Sequence, residues 1–182
     1  ITKVDLSKNS ALKTLNAVNN STLTCIKVAD IAATQNWSVT KDPKASFNLD
    51  CEVYTLIPDS NFEDFLIAQK IDRDGKNGKV KTENISQVKY MNELANKNIK
   101  DLKGIEDFTS LIQLDVSNNP LTTLDVSKNQ ALTYLSAYAN SIQNIDLSKN
   151  VNLTTLRLGF SPFTTLNLSK NVNLTTLDIP DN

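Results

Sequence analysis

Seven motifs led by Leu or Ile begin at Leu114, Leu124, Leu135, Ile145, Leu156, Leu166 and Leu177, so the C-terminal stretch repeats every 21 residues in alternating steps of 10 and 11. Superposed, the turns read L-x-x-L-x-[VAL]-x-x-N-x-[LIF]-x-x-[LI]-x-[VL]-S-K-N. Leu111, Leu132, Leu153 and Leu174 each open one turn. Asn119, Asn140 and Asn182 recur at one site, where Ser161 stands in once. A turn of this size cannot bury its own apolar face, whereas stacked turns join their leucines into one continuous core.

The period therefore predicts a leucine-rich-repeat solenoid, rich in β structure, with parallel strands lining a concave face. The core columns are Leu111, Leu114, Val116, Leu121, Leu124 and Val126 and their equivalents. Each turn must bend with main-chain N–H and C=O groups facing inward, and an amide side chain both donates and accepts. Asn119 and Asn140, and the second column Asn129, Asn150 and Asn171, are expected to form ladders that satisfy the backbone.

Charge and composition narrow the function. Nineteen basic and 20 acidic side chains are scattered along the 182 residues, for a net charge of −1, so the chain carries neither the footprint of a nucleic-acid binder nor a polybasic membrane patch. There is no apolar run long enough to insert into a membrane, and the chain opens on Ile1 inside a repeat, as a mature or excised fragment would. With no His, and with no Ser or Cys paired to a base, hydrolase and transferase chemistry has no residues to stand on. The chain reads as a non-catalytic binding protein without a cofactor.

Four segments are expected. Residues 1–24 carry the same repeat displaced by 120 positions, Val4 matching Leu124, Leu15 matching Leu135 and Asn20 matching Asn140, and read as the end of an upstream array. Residues 25–51 break the period, contain the only Trp, Trp37, and begin and end on the only cysteines, Cys25 and Cys51. They read as a C-terminal-type cap. A disulfide pinning that cap is the favoured reading of the cysteines, and two buried free thiols the alternative; the disulfide would place the protein in an oxidising compartment. Residues 52–110 are expected to form a helical N-terminal-type cap and an irregular first repeat, with Ser60 and Glu63 as a capping box ahead of Phe62, Phe65, Leu66 and Ala68 at helical spacing. Residues 111–182 are the regular repeats. Inserting one residue between Asn182 and Ile1 would restore the period, which predicts tandem capped arrays and neighbouring tandem units as partners.

The order IPDSNFEDFLIAQKIDRDGKNGKV, then IKDLKGIEDFTSL, then LTTLDVSKN repeats, then CIKVAD with NWS and ASFNLDC, resembles the leucine-rich-repeat surface and secreted proteins of Bacteroidetes-type bacteria. It is similar, more distantly, to internalin-like repeats. The resemblance covers essentially the whole chain. It implies a secreted or cell-surface location and a role in adhesion or protein recognition, and it supplies no catalytic residues. One departure is an extra residue within 91–99, which predicts a bulge there.

The one stretch resembling metal chemistry runs from Asp72 to Glu83. Asp72, Asp74, Asn77 and Glu83 fall near the spacing of a calcium loop, but Lys76 and Asn77 stand where an oxygen ligand and a glycine are expected, and a plain glycine turn is the alternative. Ligand contacts are expected on the concave strand face, where side chains alternate outward. The outward positions include Gln113, Asp115, Ser117, Tyr134, Ser136, Tyr138, Thr155, Arg157 and Gly159, with Phe160 at the following bend. Tyr134, Tyr138, Arg157 and Phe160, with Gln113 and Asp115, form the candidate site for an extracellular protein or glycan. The other reading of the tyrosines is that they stack across strands and shield Arg157. Thr123, Asp125, Asn144, Asp146, Thr165 and Asn167 read as regular solvated letters with no site. The alternative function is a structural spacer or filament-forming tandem segment of a large adhesin.

Overall fold

The leucine columns hold the regular repeats together. Leu111, Leu114, Val116, Leu121, Val126, Leu132, Leu135, Leu153 and Leu156 are all wholly buried, in one core that reaches from Ile57 to Leu158. Full burial of each such side chain stabilises by about 1.5–3 kcal/mol relative to exposure. The computed structural model describes residues 1–181, in two compact units, Ile1–Glu52 and Val53–Asn182. Asn182, expected in the Asn119 column, lies outside the described residues.

The second unit opens with β6 (Tyr54–Leu56), α1 (Ser60–Ala68), β7 (Lys79–Lys81) and α2 (Thr82–Ile85), with β6 and β7 paired antiparallel. There follow β8 (Tyr90–Met91), β9 (Gln113–Asp115), β10 (Tyr134–Ser136), β11 (Thr155–Arg157) and β12 (Thr176–Asp178), which form one parallel sheet in sequence order. Tyr134 pairs with Gln113, Thr155 with Tyr134 and Thr176 with Thr155, so the 21-residue period of the sequence is the register of the sheet.

Helix α1 forms where its apolar spacing predicts, but its cap differs. Asp59, not Ser60, is the N-cap, accepting from the amides of Asn61 and Phe62. The other Asp59 oxygen accepts from the amides of Lys100 and Asp101, tying the helix start to the first irregular turn. Glu63 does not reach back to close a capping box. It is buried, and one of its oxygens accepts the amides of Asn77 and Gly78, both at 2.6 Å. Two main-chain donors in a tight loop offer a carboxylate more than the single amide of a box does.

The extra residue within 91–99 is absorbed by two asparagines in left-handed conformation, Asn96 (φ 59°) and Asn98 (φ 56°). Asn tolerates that region because its short side chain bonds locally.

The asparagine ladders divide into two kinds. Asn119 donates to the carbonyls of Leu94, Val116 and Ser117 and accepts from the amides of Lys97 and Ile99, serving both directions as expected. Asn140 likewise donates to Val116, Ala137 and Tyr138 and accepts from Leu121. Asn129, Asn150 and Asn171 only donate, each to two carbonyls of preceding turns; their side-chain oxygens are buried without a partner among the described residues.

The first unit contains β1 (Lys3–Asp5), β2 (Thr14–Ala17), β3 (Cys25–Lys27), β4 (Ser38–Lys41) and β5 (Ser46–Asn48). All pairings are parallel: β1 with β3, β3 with β5, and β2 with β4. Residues 25–51, where the sequence period breaks, thus continue the same stacking. Lys3 pairs with Cys25 and Cys25 with Ser46, steps of 22 and 21 residues. The core here is small: Ala17, Leu23, Ile26, Val28 and Ala45, with Trp37 packed edge-on against Phe47 at 5.8 Å. Cys25 and Cys51 are joined in a disulfide, which excludes the free-thiol alternative.

Asp5, Asp125 and Asp146, each at the start of a D-x-S turn, hold their carboxyls below the usual range. In Asp125 and Asp146 the main cause is the amide of Ser127 or Ser148; in Asp5 it is the Ser7 hydroxyl, then its amide. A depressed folded pKa stabilises above the unfolded value and loses that contribution as pH falls through the folded one. The melting temperature should therefore hold steady from neutral pH down to about 5 and fall below about 4. A steady melting temperature through that acid range would contradict the assignment.

Candidate functional site

The strand face of the second unit is built from files of side chains set by the register. Tyr90, Gln113, Tyr134, Thr155 and Thr176 form one file, and Asp115, Ser136, Arg157 and Asp178 the next. Adjacent strands lie about 4.8 Å apart, so Tyr90 and Tyr134 stand about 10 Å from each other. The structure brings together most of the residues singled out in the sequence. The Tyr138 and Phe160 rings meet at 5.1 Å, inclined by 60°. The Arg157 guanidinium lies 5.7 Å from the centre of the Tyr138 ring, within cation–π range. Arg157 donates from Nε to Asp178 Oδ2 at 3.0 Å, and the Asp178 carboxylate, then the Tyr134 hydroxyl, raise its pKa. The guanidinium is positively charged throughout the physiological range.

Tyr134 and Tyr138 contact Arg157, as the stacking reading of the tyrosines expects, and the cluster stays accessible. Phe160 is 49% exposed. Its backbone is more informative still. The bend of successive turns puts Asn118, Ala139, Phe160 and Asp181 in left-handed conformation, φ 51° to 55°. A bulky aromatic residue with positive φ is an outlier that costs free energy, and such residues gather at functional sites. Gly159 beside it has no room for a side chain: a Cβ there would lie 2.5 Å from Pro180 and 2.8 Å from the Tyr138 ring. A glycine lets the tyrosine lie across the main chain.

Gln113 and Asp115 occupy the neighbouring rung. Gln113 accepts from Asn92 Nδ2 at 3.0 Å, and Asp115 accepts the Ser117 amide. Ser117 and Ser136, expected to point outward, are instead buried and share a hydrogen bond at 2.7 Å. Sequence reasoning passed over Tyr90, which is 60% exposed at the head of the Tyr134 file. It lies in the irregular repeat, 23 residues before Gln113, where the 21-residue template does not reach. The only available signal was Met91 standing in the core-leucine position beside it.

The loop of Asp72, Asp74, Asn77 and Glu83 is organised differently. Asp72 is buried, with one oxygen accepting the Asp74 amide and the other without a partner among the described residues. Asn77 Oδ1 accepts from the Lys79 amide, Lys76 pairs with Asp64 at 2.6 Å, and Glu83 sits in the first turn of α2. Among the described residues no three His, Cys, Asp or Glu side chains converge into a metal-binding group. Gly75 and Gly78, at φ 79° and 77°, carry the turn. Among the described residues no helix is long and apolar enough to cross a membrane.

No protein-family model matches the sequence, and no curated protein matches it. Solved structures do. The functional domain of InlJ from Listeria monocytogenes, described as including a cysteine ladder, is 30% identical with a TM-score of 0.62, over 71% of this chain and 29% of that one. A leucine-rich-repeat protein of Leptospira interrogans is 18% identical, with a TM-score of 0.42, over 97% of this chain and 33% of its own. An internalin, InlF, of Listeria monocytogenes is 18% identical, with a TM-score of 0.39, over 90% and 56%. The chain thus spans under a third of the InlJ domain. Its structural neighbours are internalin-like leucine-rich-repeat proteins, and its fold is of that kind.

Proposed function

We propose that the chain is a non-catalytic recognition module of a bacterial cell-surface or secreted protein, binding an extracellular protein or glycan through the concave strand face of its second unit. Binding is non-covalent and needs no cofactor. In this reading the second unit is a solenoid whose start is capped by α1 and the β6–β7 pair, and the first unit is the disulfide-pinned end of an array in a protein of tandem arrays. The disulfide supports an oxidising, extracytoplasmic setting. The likeness to the InlJ domain supports the repeat fold, and the sequence resemblance points to a surface or secreted protein of Bacteroidetes-type bacteria.

The observation that carries the reading is Phe160. Its left-handed backbone and half-exposed ring, set edge-on to Tyr138 beside Arg157, cost stability where other turns carry Asn, Ala or Asp. Clustered aromatic and guanidinium groups are the usual anchors of interfaces. The chain is to be tested against a panel of glycans and of extracellular-matrix and mucosal proteins, beside the triple variant Tyr134→Ala, Tyr138→Ala, Arg157→Ala. A bound ligand should be weakened at least about a hundredfold by the triple change, with both proteins melting normally. Binding that is indifferent to the change, or none across the panel, favours the spacer reading, which the regular LTTLDVSKN letters of the remaining turns support.

A further inference from the structure

The second unit has a second surface distinct from the strand face, on the rungs that follow each strand turn. Thr123–Asp125 and Asn144–Asp146 hold the second apolar position of successive turns, Leu124 and Ile145. In the first unit the matching residues Lys3–Asp5 form β1, paired through β3 to β5. There Asp5 stands opposite Lys27, whose Nζ is 3.8 Å from its carboxylate. In the second unit the same positions form no strand. Among the described residues no main-chain hydrogen bond joins Thr123–Asp125 to Asn144–Asp146.

Two clefts open along these rungs. One, of about 220 Å³, lies between residues 101–106 and Thr123–Asp125; the other, of about 530 Å³, lies between Thr123–Asp125 and Asn144–Asp146. Both are lined by Thr123, Leu124 and Asp125, the rung that divides this groove in two. Its floor is apolar, from Leu102, Ile105, Leu124 and Ile145, and its rim carries Asp101, Glu106, Asp125 and Asp146 against the single Lys103. Where the first unit sets a lysine across from an aspartate, this groove sets Asp146 one turn from Asp125. Lys128 and Lys149 act on these two acids at a distance, and neither forms an ion pair with them among the described residues.

We propose that this groove binds an extended segment of a partner protein in which basic and aliphatic residues alternate. Lys or Arg side chains meet Asp125 and Asp146 as Lys27 meets Asp5, and aliphatic side chains rest on Leu124 and Ile145. Apolar contact supplies the affinity and the acidic rim the selectivity.

The test is a fluorescence-anisotropy titration of the whole chain with labelled acetyl-Val-Arg-Val-Arg-Val amide, with the Glu-for-Arg peptide beside it. The arginine peptide should bind saturably and the glutamate peptide should not. The double variant Asp125→Asn, Asp146→Asn should bind at least about tenfold more weakly. It should keep its fold, because an amide oxygen still accepts the Ser127 and Ser148 amides that the aspartates hold now. Ile145→Lys, which places an ammonium in the groove, should bind no arginine peptide. The Tyr134, Tyr138, Arg157 triple variant should bind it like the unaltered chain, which separates this surface from the strand face. Absence of saturable binding, equal binding of both peptides, or unchanged binding by Asp125→Asn, Asp146→Asn and by Ile145→Lys would each overturn the proposal. So would displacement of the peptide by calcium chloride at constant ionic strength, which would reassign the two acids to a cation.

Discussion

Replacing Cys25 and Cys51 with serine should unfold the first unit well before the second. The bond closes a loop with a sequence separation of 26, and removing it restores about 3 kcal/mol of chain entropy to the unfolded state. A small domain has little to set against that loss. The unit comprises Ile1–Glu52, and its fully buried apolar side chains are few and include two alanines. The measurement is selective because Trp37 is the sole tryptophan and packs on Phe47 in this unit. In a denaturant titration, the tryptophan fluorescence transition should move to much lower denaturant, or vanish, while the circular-dichroism transition of the repeats stays in place. A fluorescence midpoint that does not move would show that parallel pairing of β1–β5 suffices without the bridge.

Asn119→Ala should be the most damaging single change in the second unit. The amide of Asn119 meets the carbonyls of Leu94, Val116 and Ser117, and its oxygen meets the amides of Lys97 and Ile99. Alanine strands these groups at a site where Asn119 is only 4% exposed. Each unsatisfied buried group costs about 1–3 kcal/mol, so even with partial relaxation the loss should reach about 3 kcal/mol. The effect should appear as a lower melting temperature of the repeats with the tryptophan signal of the first unit unchanged. Asn152→Ala is the control: its exposed amide donates only to the Gln130 carbonyl, and its loss should cost under about 0.5 kcal/mol. If the two variants melt alike, the ladder is not what holds the irregular first turn to the regular array.

Much of the candidate site was legible because register follows from period. Once Leu114, Leu135, Leu156 and Leu177 are known to stack, Gln113, Tyr134 and Thr155 must form a file and Arg157 must neighbour Tyr138. Tyr90 was not legible, because its turn does not keep the 21-residue spacing, and only the pairing of β8 with β9 shows where it lands. Ser117 and Ser136 were misjudged for a related reason: alternation says which way a side chain leaves the strand, not whether its neighbours cover it. The groove beside Asp125 and Asp146 was read as plain solvated surface, since its letters are the most regular in the chain. It differs from the matching column of the first unit in that, among the described residues, its adjacent rungs do not pair and no lysine stands across from its aspartates, and the pairing shows only in the folded chain.

The sequence by itself determined the repeat, its leucine columns, the polar bends, the helix beginning near Ser60 and the absence of any histidine-based chemistry. These are local or periodic properties, and a core built by translation copies one turn's pattern into every other. Tertiary structure alone decided what depends on contact between distant segments. It joined Cys25 to Cys51, turned Glu63 from its own helix start to the amides of Asn77 and Gly78, and gave Asp59 two sets of partners. It also continued the strand stacking through residues 25–51, where the letters lose their period, because parallel pairing reads the backbone and leaves the side chains free to vary.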